Sequence, residues 1–231
     1  MVYKTELHCH TYPASDCSHI SPEEMAEHYA ERGYHTVVLT NHLKRRSTDD
    51  ESSWKERVAQ LMSDYHRLKR AANGRFHVLL GAEMRPDGRG TSDYLVFGVT
   101  EQILLDSFMF LPCKFDQFSA ALHGAGCMIY QAHPFRNGMM VTDPTLLDGI
   151  EVYNPTPRAL SRNAFAALWA EHFGLKKIAG SDFHARQNKE FPNGERASCA
   201  ILTDTPITCN EELLCILQSE RYGLLCQESA N

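Results

Sequence analysis

Five short apolar or β-branched runs in this chain each end in histidine or an acidic residue, and that placement limits the folds open to it. The run opening at Tyr3 delivers His8 and His10, and Thr36–Thr40 delivers His42. Phe76–Ala82 delivers Glu83, Met128–Gln131 delivers His133, and Lys177–Gly180 delivers Asp182 and His184. In extended backbone, residues two apart share a face, so His8 and His10 converge while Cys9 turns away. Asp182 and His184 converge for the same reason, with Phe183 turned toward packing. Two such pairs from opposite ends of 231 residues meet only if the sheet curls into a barrel. The rim at the C-terminal ends of the strands is where barrel enzymes carry their sites. Carboxylates crowded there in low dielectric are costly unless divalent cations neutralise them. His, Asp and Glu donors without cysteine suit Zn²⁺, Mn²⁺ or Fe²⁺ rather than Cu⁺, iron–sulfur clusters or Ca²⁺.

Helical patterns fill the intervals. Ser21-Pro22-Glu23-Glu24 reads as a capping box with proline at the first helical position, and Gly33 stops that helix. A longer helix is predicted from near Thr48, with Thr48 and Glu51 as its box and Trp54, Val58, Leu61, Met62, Tyr65 and Leu68 as its buried stripe. Further helices are expected over Phe115–Leu122, over Glu211–Gln218, and from Thr156-Pro157 with Leu160, Ala164, Leu168 and Phe173 along it. Additional strands are expected at Tyr94–Val99, Gly149–Tyr153 and Cys199–Thr203, and a polar loop at 187–195. Strands alternating with helices predict parallel βαβ units throughout. No repeat or linker divides the chain, so one α/β domain over residues 1–231 is expected. The other histidines, such as His28, His66 and His123, fall on helices and read as structural.

A net charge of −6 disfavours a protein that grips long nucleic acid by its general surface. No apolar run reaches the length of a membrane span, and the polar start lacks a signal-peptide core. None of the eight cysteines forms a C-x-x-C pair, and they read as reduced thiols in a cytoplasmic protein.

Taken in order, the segments Glu6-Leu7-His8-Cys9-His10-Thr11 with Ser15-Asp16, Leu39-Thr40-Asn41-His42, Gly81-Ala82-Glu83, Ala132-His133-Pro134 and Gly180-Ser181-Asp182-Phe183-His184 resemble the PHP (polymerase and histidinol phosphatase) superfamily of metal-dependent phosphoesterases. The resemblance implies a distorted (β/α)₇ TIM-like barrel with three divalent ions at its C-terminal face. It puts His8, His10, Glu83 and Asp182 on one ion. Glu83 would bridge to a second ion shared with Asp93 and His133, and Asp16, His42 and His184 would hold the third. Many members have histidine where Asp93 stands, and Asn41 replaces the usual aspartate of Thr-Asp-His. Four carboxylates against three divalent ions would leave the site net positive, which attracts a phosphate dianion.

The expected activity is hydrolysis of a small phosphomonoester by metal-activated water, with His8, His10, Glu83, His133, Asp182 and His184 as the catalytic set. Arg136 is the first candidate for gripping phosphate, since a guanidinium matches two phosphate oxygens. Lys44, followed by Arg45 and Arg46, extends a positive rim, and Asn154 and Arg158 lie past the strand ending at Tyr153. The rivals are a PHP-type exonuclease on short oligonucleotides, an amidohydrolase, and a metal-holding module without catalysis.

Overall fold

The computed structural model describes residues 1–45, 48–86, 92–111, 113–156, 160–185 and 198–227. Its strands are β1 (Tyr3–Glu6), β2 (Thr36–Leu39), β3 (His42–Lys44), β4 (His77–Arg85), β5 (Tyr94–Phe97), β6 (Met128–Gln131), β7 (Gly149–Tyr153), β8 (Lys176–Ala179), β9 (Ser198–Thr203) and β10 (Gly223–Gln227). Its α-helices are α1 (Pro22–Glu31), α2 (Glu51–Ala72), α3 (Glu101–Asp106), α4 (Phe115–Gly124), α5 (Asn163–Phe173) and α6 (Asn210–Ser219). No described helix is long and apolar enough to cross a membrane.

The strands form one sheet in the order β10-β9-β1-β2-β4-β5-β6-β7-β8, with β3 added on β4. The sheet curls until its ends nearly meet, giving a distorted TIM-like barrel. Beyond the ladders of β1 and β8 the two chain segments pair through an isolated parallel bridge between Cys9 and Phe183. His10 N–H donates to Phe183 O at 2.9 Å, and Phe183 N–H donates to His8 O at 3.4 Å. This seam lies where the two predicted ligand pairs leave their strands. On the far side of β1, β9 pairs with it antiparallel, and β8 touches both β9 and β10.

The expectation of parallel pairing holds for β1-β2-β4, for β3 on β4 and for β6-β7-β8. β5 runs antiparallel to both β4 and β6, and β9 runs antiparallel to β1 and β10. The link from Arg85 to Tyr94 is shorter than the dozen or so residues a parallel crossover requires, so the chain returns as a hairpin.

Alternation along the strands separates two packing surfaces. Val37 and Leu39 of β2 face α1 and α2, in a cluster with Met25, Tyr29 and Leu68. Val38 faces the opposite way, into a cluster of Leu7, Leu95, Tyr130, Ile178 and Ile201 closed by Leu213 and Leu217 of α6. That cluster draws on strands all around the sheet and fills the barrel beneath the rim.

The α1 cap is as predicted: Glu24 N–H donates to Ser21 Oγ at 3.2 Å, and Ser21 N–H donates to Glu24 at 2.9 Å. The cap of α2 is Asp50, not Thr48. Its carboxylate accepts from Ser53 N–H at 2.9 Å, and aspartate is at least as good a cap as threonine. The expected apolar stripe on α2 is buried at Trp54, Val58, Leu61, Met62 and Leu68. The helix expected from Thr156 begins at Asn163 instead, and residues 157–159 lie outside the described set. Its buried positions are Ala166 and Ala170, while Leu160 and Leu168 are 69% and 64% exposed. A helix apolar on every side gives periodicity no face to report, and the small alanines admit the closest approach to β7.

Candidate metal centre

The strand carrying His8-Cys9-His10 is held from below by Glu6. Its Oε1 accepts from the backbone N–H groups of Leu7, His8 and Ser181 at 3.0, 2.9 and 2.9 Å. One carboxylate thus ties the end of β1 to the end of β8. Burial pushes its pKa up to about 7, although the backbone donors pull the other way.

From that base His8 and His10 project to one face, and Cys9 is buried on the other among Tyr29, Val37 and Leu39. Glu83, at the end of the buried stretch of β4, occupies the centre. Its Oε2 lies 3.5 Å from His8 Nε2, 3.3 Å from His10 Nε2 and 2.9 Å from His42 Nδ1. Its Oε1 is 3.2 Å from His133 Nε2. Asp182 Oδ1 faces Nε2 of both His8 and His10 at 3.3 Å, and His184 Nδ1 at 3.4 Å. All seven residues predicted at strand ends therefore meet. Their donor atoms gather, within 4.8 Å of one another, as His8/His10/Asp182, His8/Glu83/His133 and His10/His42/His184.

The orphaned atoms test whether this cage fits a cation. Nε2 of His8, Nε2 of His10 and both oxygens of Glu83 are buried without a hydrogen-bond partner. Buried polar atoms are costly when left unsatisfied. Donors about 2.05 Å from a tetrahedral ion stand about 3.3 Å apart, which is the spacing found here. The residues fit a divalent metal.

The electrostatics agree. Burial disfavours a charged His8, but Glu151, Asp182 and Glu83 outweigh it and hold its pKa well above the ordinary imidazole value. At His10 burial, reinforced by His42 and His184, drives the pKa well below that value and leaves a lone pair on the ring. Burial opposes ionisation of Glu83 and Asp182 too, yet His42 and His8 keep Glu83, and His8 and His184 keep Asp182, well below the usual carboxylate range. The turns that deliver His133 and Asp182 adopt left-handed backbone, with φ of 31° and 53°. Non-glycine residues held there carry strain that clusters at functional sites.

Glu151 on β7 is a site residue the sequence reading did not single out. It is 1% exposed, and its Oε1 lies 2.8 Å from His8 Nδ1. Its Oε2 accepts from His133 N–H and from Asn154 Nδ2, each at 2.9 Å. An acid in the middle of the apolar run Gly149–Tyr153 was the available signal. Gly180 makes room for it, since a Cβ there would stand 2.5 Å from Glu151 Oε1 and 2.4 Å from His8 Cβ. Asn41 also finds its place: its Oδ1 accepts from Thr11 N–H and Ser15 Oγ at 2.7 and 2.9 Å, pinning the loop after His10.

Two residues that the resemblance puts on metals sit differently. Asp93 is buried, but Arg85 holds both of its oxygens at 2.7 Å, outside the three donor groups. Asp16, also outside those groups, is exposed on the wall of the cavity that opens beside His42 and Glu83, while Ser15 and Ser18 on either side of the Asp16-Cys17 pair bond Asn41 Oδ1 and His10 O. The thiol of Cys17 comes instead within 3.2 Å of His184 Nε2. Burial raises its pKa, but bonds to His184 and His42 prevail and bring it to about 6.

Arg136 donates to Asp182 Oδ2 at 2.7 Å and to Asn154 Oδ1 at 3.1 Å. It and Asn154 thus brace the Asp182 carboxylate. Lys44 is exposed on the wall of a cavity of about 380 Å³ that opens beside Glu83 and His42. Arg45 turns away to stack on Phe108 at 3.7 Å. Arg46 and Arg158 lie outside the described residues.

No family model matches the sequence, and no curated protein matches it. Solved structures do. A two-domain protein from Bacteroides vulgatus, whose PHP-like metal-dependent phosphoesterase assignment is itself a prediction, aligns at TM-score 0.62 and 14% identity over 98% of this chain. The chain spans 65% of that protein's length. A Bifidobacterium adolescentis protein assigned as a metal-dependent phosphoesterase aligns at 0.52 and 17% identity, covering 92% of this chain and 95% of the other. An amidohydrolase from Chromobacterium violaceum, solved with sulfate and no metal, aligns at 0.57 and 18% identity, covering 92% and 96%. With a donor cage on the rim and these neighbours around it, the chain has the distorted barrel of the PHP-like metal-dependent phosphoesterases.

Proposed function

We propose that this protein hydrolyses phosphate monoesters of small molecules with divalent ions held by the rim cage. The observation that carries the reading is the set of buried, unpartnered atoms of His8, His10 and Glu83 facing one another at coordination spacing. Two structural neighbours assigned as metal-dependent phosphoesterases support the reaction class. His8, His10 and Asp182 would hold one ion, Glu83 and His133 a second with His8 nearby, and His42 and His184 a third; Zn²⁺, Mn²⁺ and Fe²⁺ suit these donors. Ions bound there would supply positive charge for phosphoryl oxygens and lower the pKa of water.

The chain's own residues do the rest. Glu151 fixes the His8 ring through Nδ1, so that Nε2 points into the cage. Arg136 and Asn154 hold Asp182 Oδ2, leaving Oδ1 for the two histidines. Lys44 stands free at the cavity wall as a point charge for a phosphate oxygen. Since Arg136 is bonded to Asp182, its contribution to phosphate binding is through charge beside the site.

The sulfate in the Chromobacterium structure is compatible with an oxyanion substrate, whereas that protein's amidohydrolase name favours C–N hydrolysis as the second reading. The deciding experiment strips the purified protein with a chelator and measures phosphate release from a panel of phosphomonoesters, with amide and short-oligonucleotide substrates alongside. Activity on phosphomonoesters, lost on stripping and restored by Mn²⁺ or Zn²⁺, is expected. Absence of phosphate release with every metal tried, or turnover confined to amides, overturns the reading.

A further inference from the structure

The two histidines at the mouth of the cage each turn Nδ1 toward a carboxylate or carbonyl oxygen. His42 presents Nδ1 to a Glu83 oxygen at 2.9 Å, and His184 presents Nδ1 to the Asp182 carbonyl at 2.6 Å. At His184 the Nδ1–H bonded to oxygen fixes the tautomer and leaves the Nε2 lone pair for a ligand, which is how metal-binding histidines are held. His184 Nε2 lies 3.2 Å from Cys17 Sγ, and the same thiol is within hydrogen-bond reach of His42. With Nδ1 turned toward Glu83, the ring nitrogen His42 has left for that thiol is Nε2. Behind them His10 is fully buried, its Nε2 has no hydrogen-bond partner, and it shares a donor group with His42 and His184.

We infer that Cys17, rather than Asp16, completes the outer metal site with His42 and His184, so that this site carries a thiolate. Two imidazole lone pairs converging on one sulfur form most of a tetrahedral N/S site, with a position open toward the cavity. On binding, the thiol gives its proton to solvent and a sulfur lone pair to the ion. The thiolate also brings a negative charge to a cage beside which Arg85 takes both oxygens of Asp93. A sulfur donor selects thiophilic Zn²⁺ or Co²⁺ over Mn²⁺ and Mg²⁺ at this position alone. The inference rests on the metal-cage reading above, and its test separates the two.

The test titrates the metal-stripped full-length protein with Co²⁺ under a non-thiol reductant and records its absorption. The wild type should show the near-ultraviolet sulfur-to-cobalt charge-transfer band together with the visible cobalt bands. Cys17→Ser, at an exposed position, should lose the first and keep the second, and Asp16→Asn should keep both. Zn²⁺ should also protect Cys17 from alkylation, read by peptide mass spectrometry, while Mg²⁺ does not. Visible bands without charge transfer in the wild type, or charge transfer surviving in Cys17→Ser, overturn the thiolate site and leave the cage standing. No cobalt bands at all would overturn both.

Discussion

Glu151 Oε1 stands 2.8 Å from His8 Nδ1, with both side chains sealed from solvent. The pairing sets which ring nitrogen of His8 carries the proton, and the other Glu151 oxygen fixes the His133 backbone. Glu151→Gln keeps the shape but can turn an amide N–H₂ toward Nδ1. Metal affinity should fall by roughly 10–100-fold, as for other partners of ligating histidines. Calorimetric titration of the stripped protein checks this, and an unchanged affinity would show that His8 needs no such support.

Gly180 has no room for a side chain. Adding one methyl group drives it into His8 Cβ and Glu151 Oε1, at 2.4 and 2.5 Å. Gly180→Ala should cost about 1–3 kcal/mol of stability, as overpacking generally does, and should lower bound metal in the same sample. Denaturant unfolding paired with elemental analysis measures both; a variant with wild-type stability and metal content contradicts the close approach.

The buried Glu6 makes metal-free stability depend on pH. Its pKa rises from 4.5 to about 7 on folding, so the folded state binds this proton more tightly than the unfolded chain. The contribution is full below the unfolded value and is lost as pH climbs toward the folded one. The loss approaches roughly 3 kcal/mol. Glu6→Gln keeps a carbonyl oxygen for the Leu7, His8 and Ser181 donors and cannot ionise. Melting temperatures of the stripped proteins across this window should therefore diverge, wild type falling relative to variant. Parallel curves would count against the raised pKa.

Metal itself should stabilise the fold, because the cage exists only when β1, β4 and β8 are assembled. At free ion one hundred times its Kd the gain is about 2.7 kcal/mol. Thermal melts with and without Zn²⁺ or Mn²⁺ read it directly, and Glu83→Gln should abolish most of the shift. A melting temperature indifferent to every ion would remove the cage from consideration.

What was legible in the sequence followed from rigid geometry. A period of two fixed the faces of His8, Cys9 and His10, and all seven strand-end side chains meet at the rim. Asp16 and Asp93 came from likeness alone: both line the cavity beside Glu83, where Arg85 holds both oxygens of Asp93 and Cys17, next to Asp16, is the group that reaches His184. The sidedness of α5 was illegible because the exposed Phe165 and Leu168 are as apolar as the alanines that pack. The reversed direction of β5 could have been counted from its short connection, whereas the pairing of β10 with β9 depends on partners distant in the chain. Glu151 showed as an oddity, but only contact with His8 gave it a role.

The bridge between Cys9 and Phe183 joins the first and the last ligand-bearing segments of the polypeptide. During synthesis, His8 and His10 emerge long before Asp182 and His184 can join them. The nascent chain therefore passes through a long interval in which imidazoles are available to any passing ion but cannot enclose one. On the proposed metal-holding role, faithful loading belongs to the folded barrel, and a truncation anywhere ahead of Asp182 yields an open gutter in place of a cage.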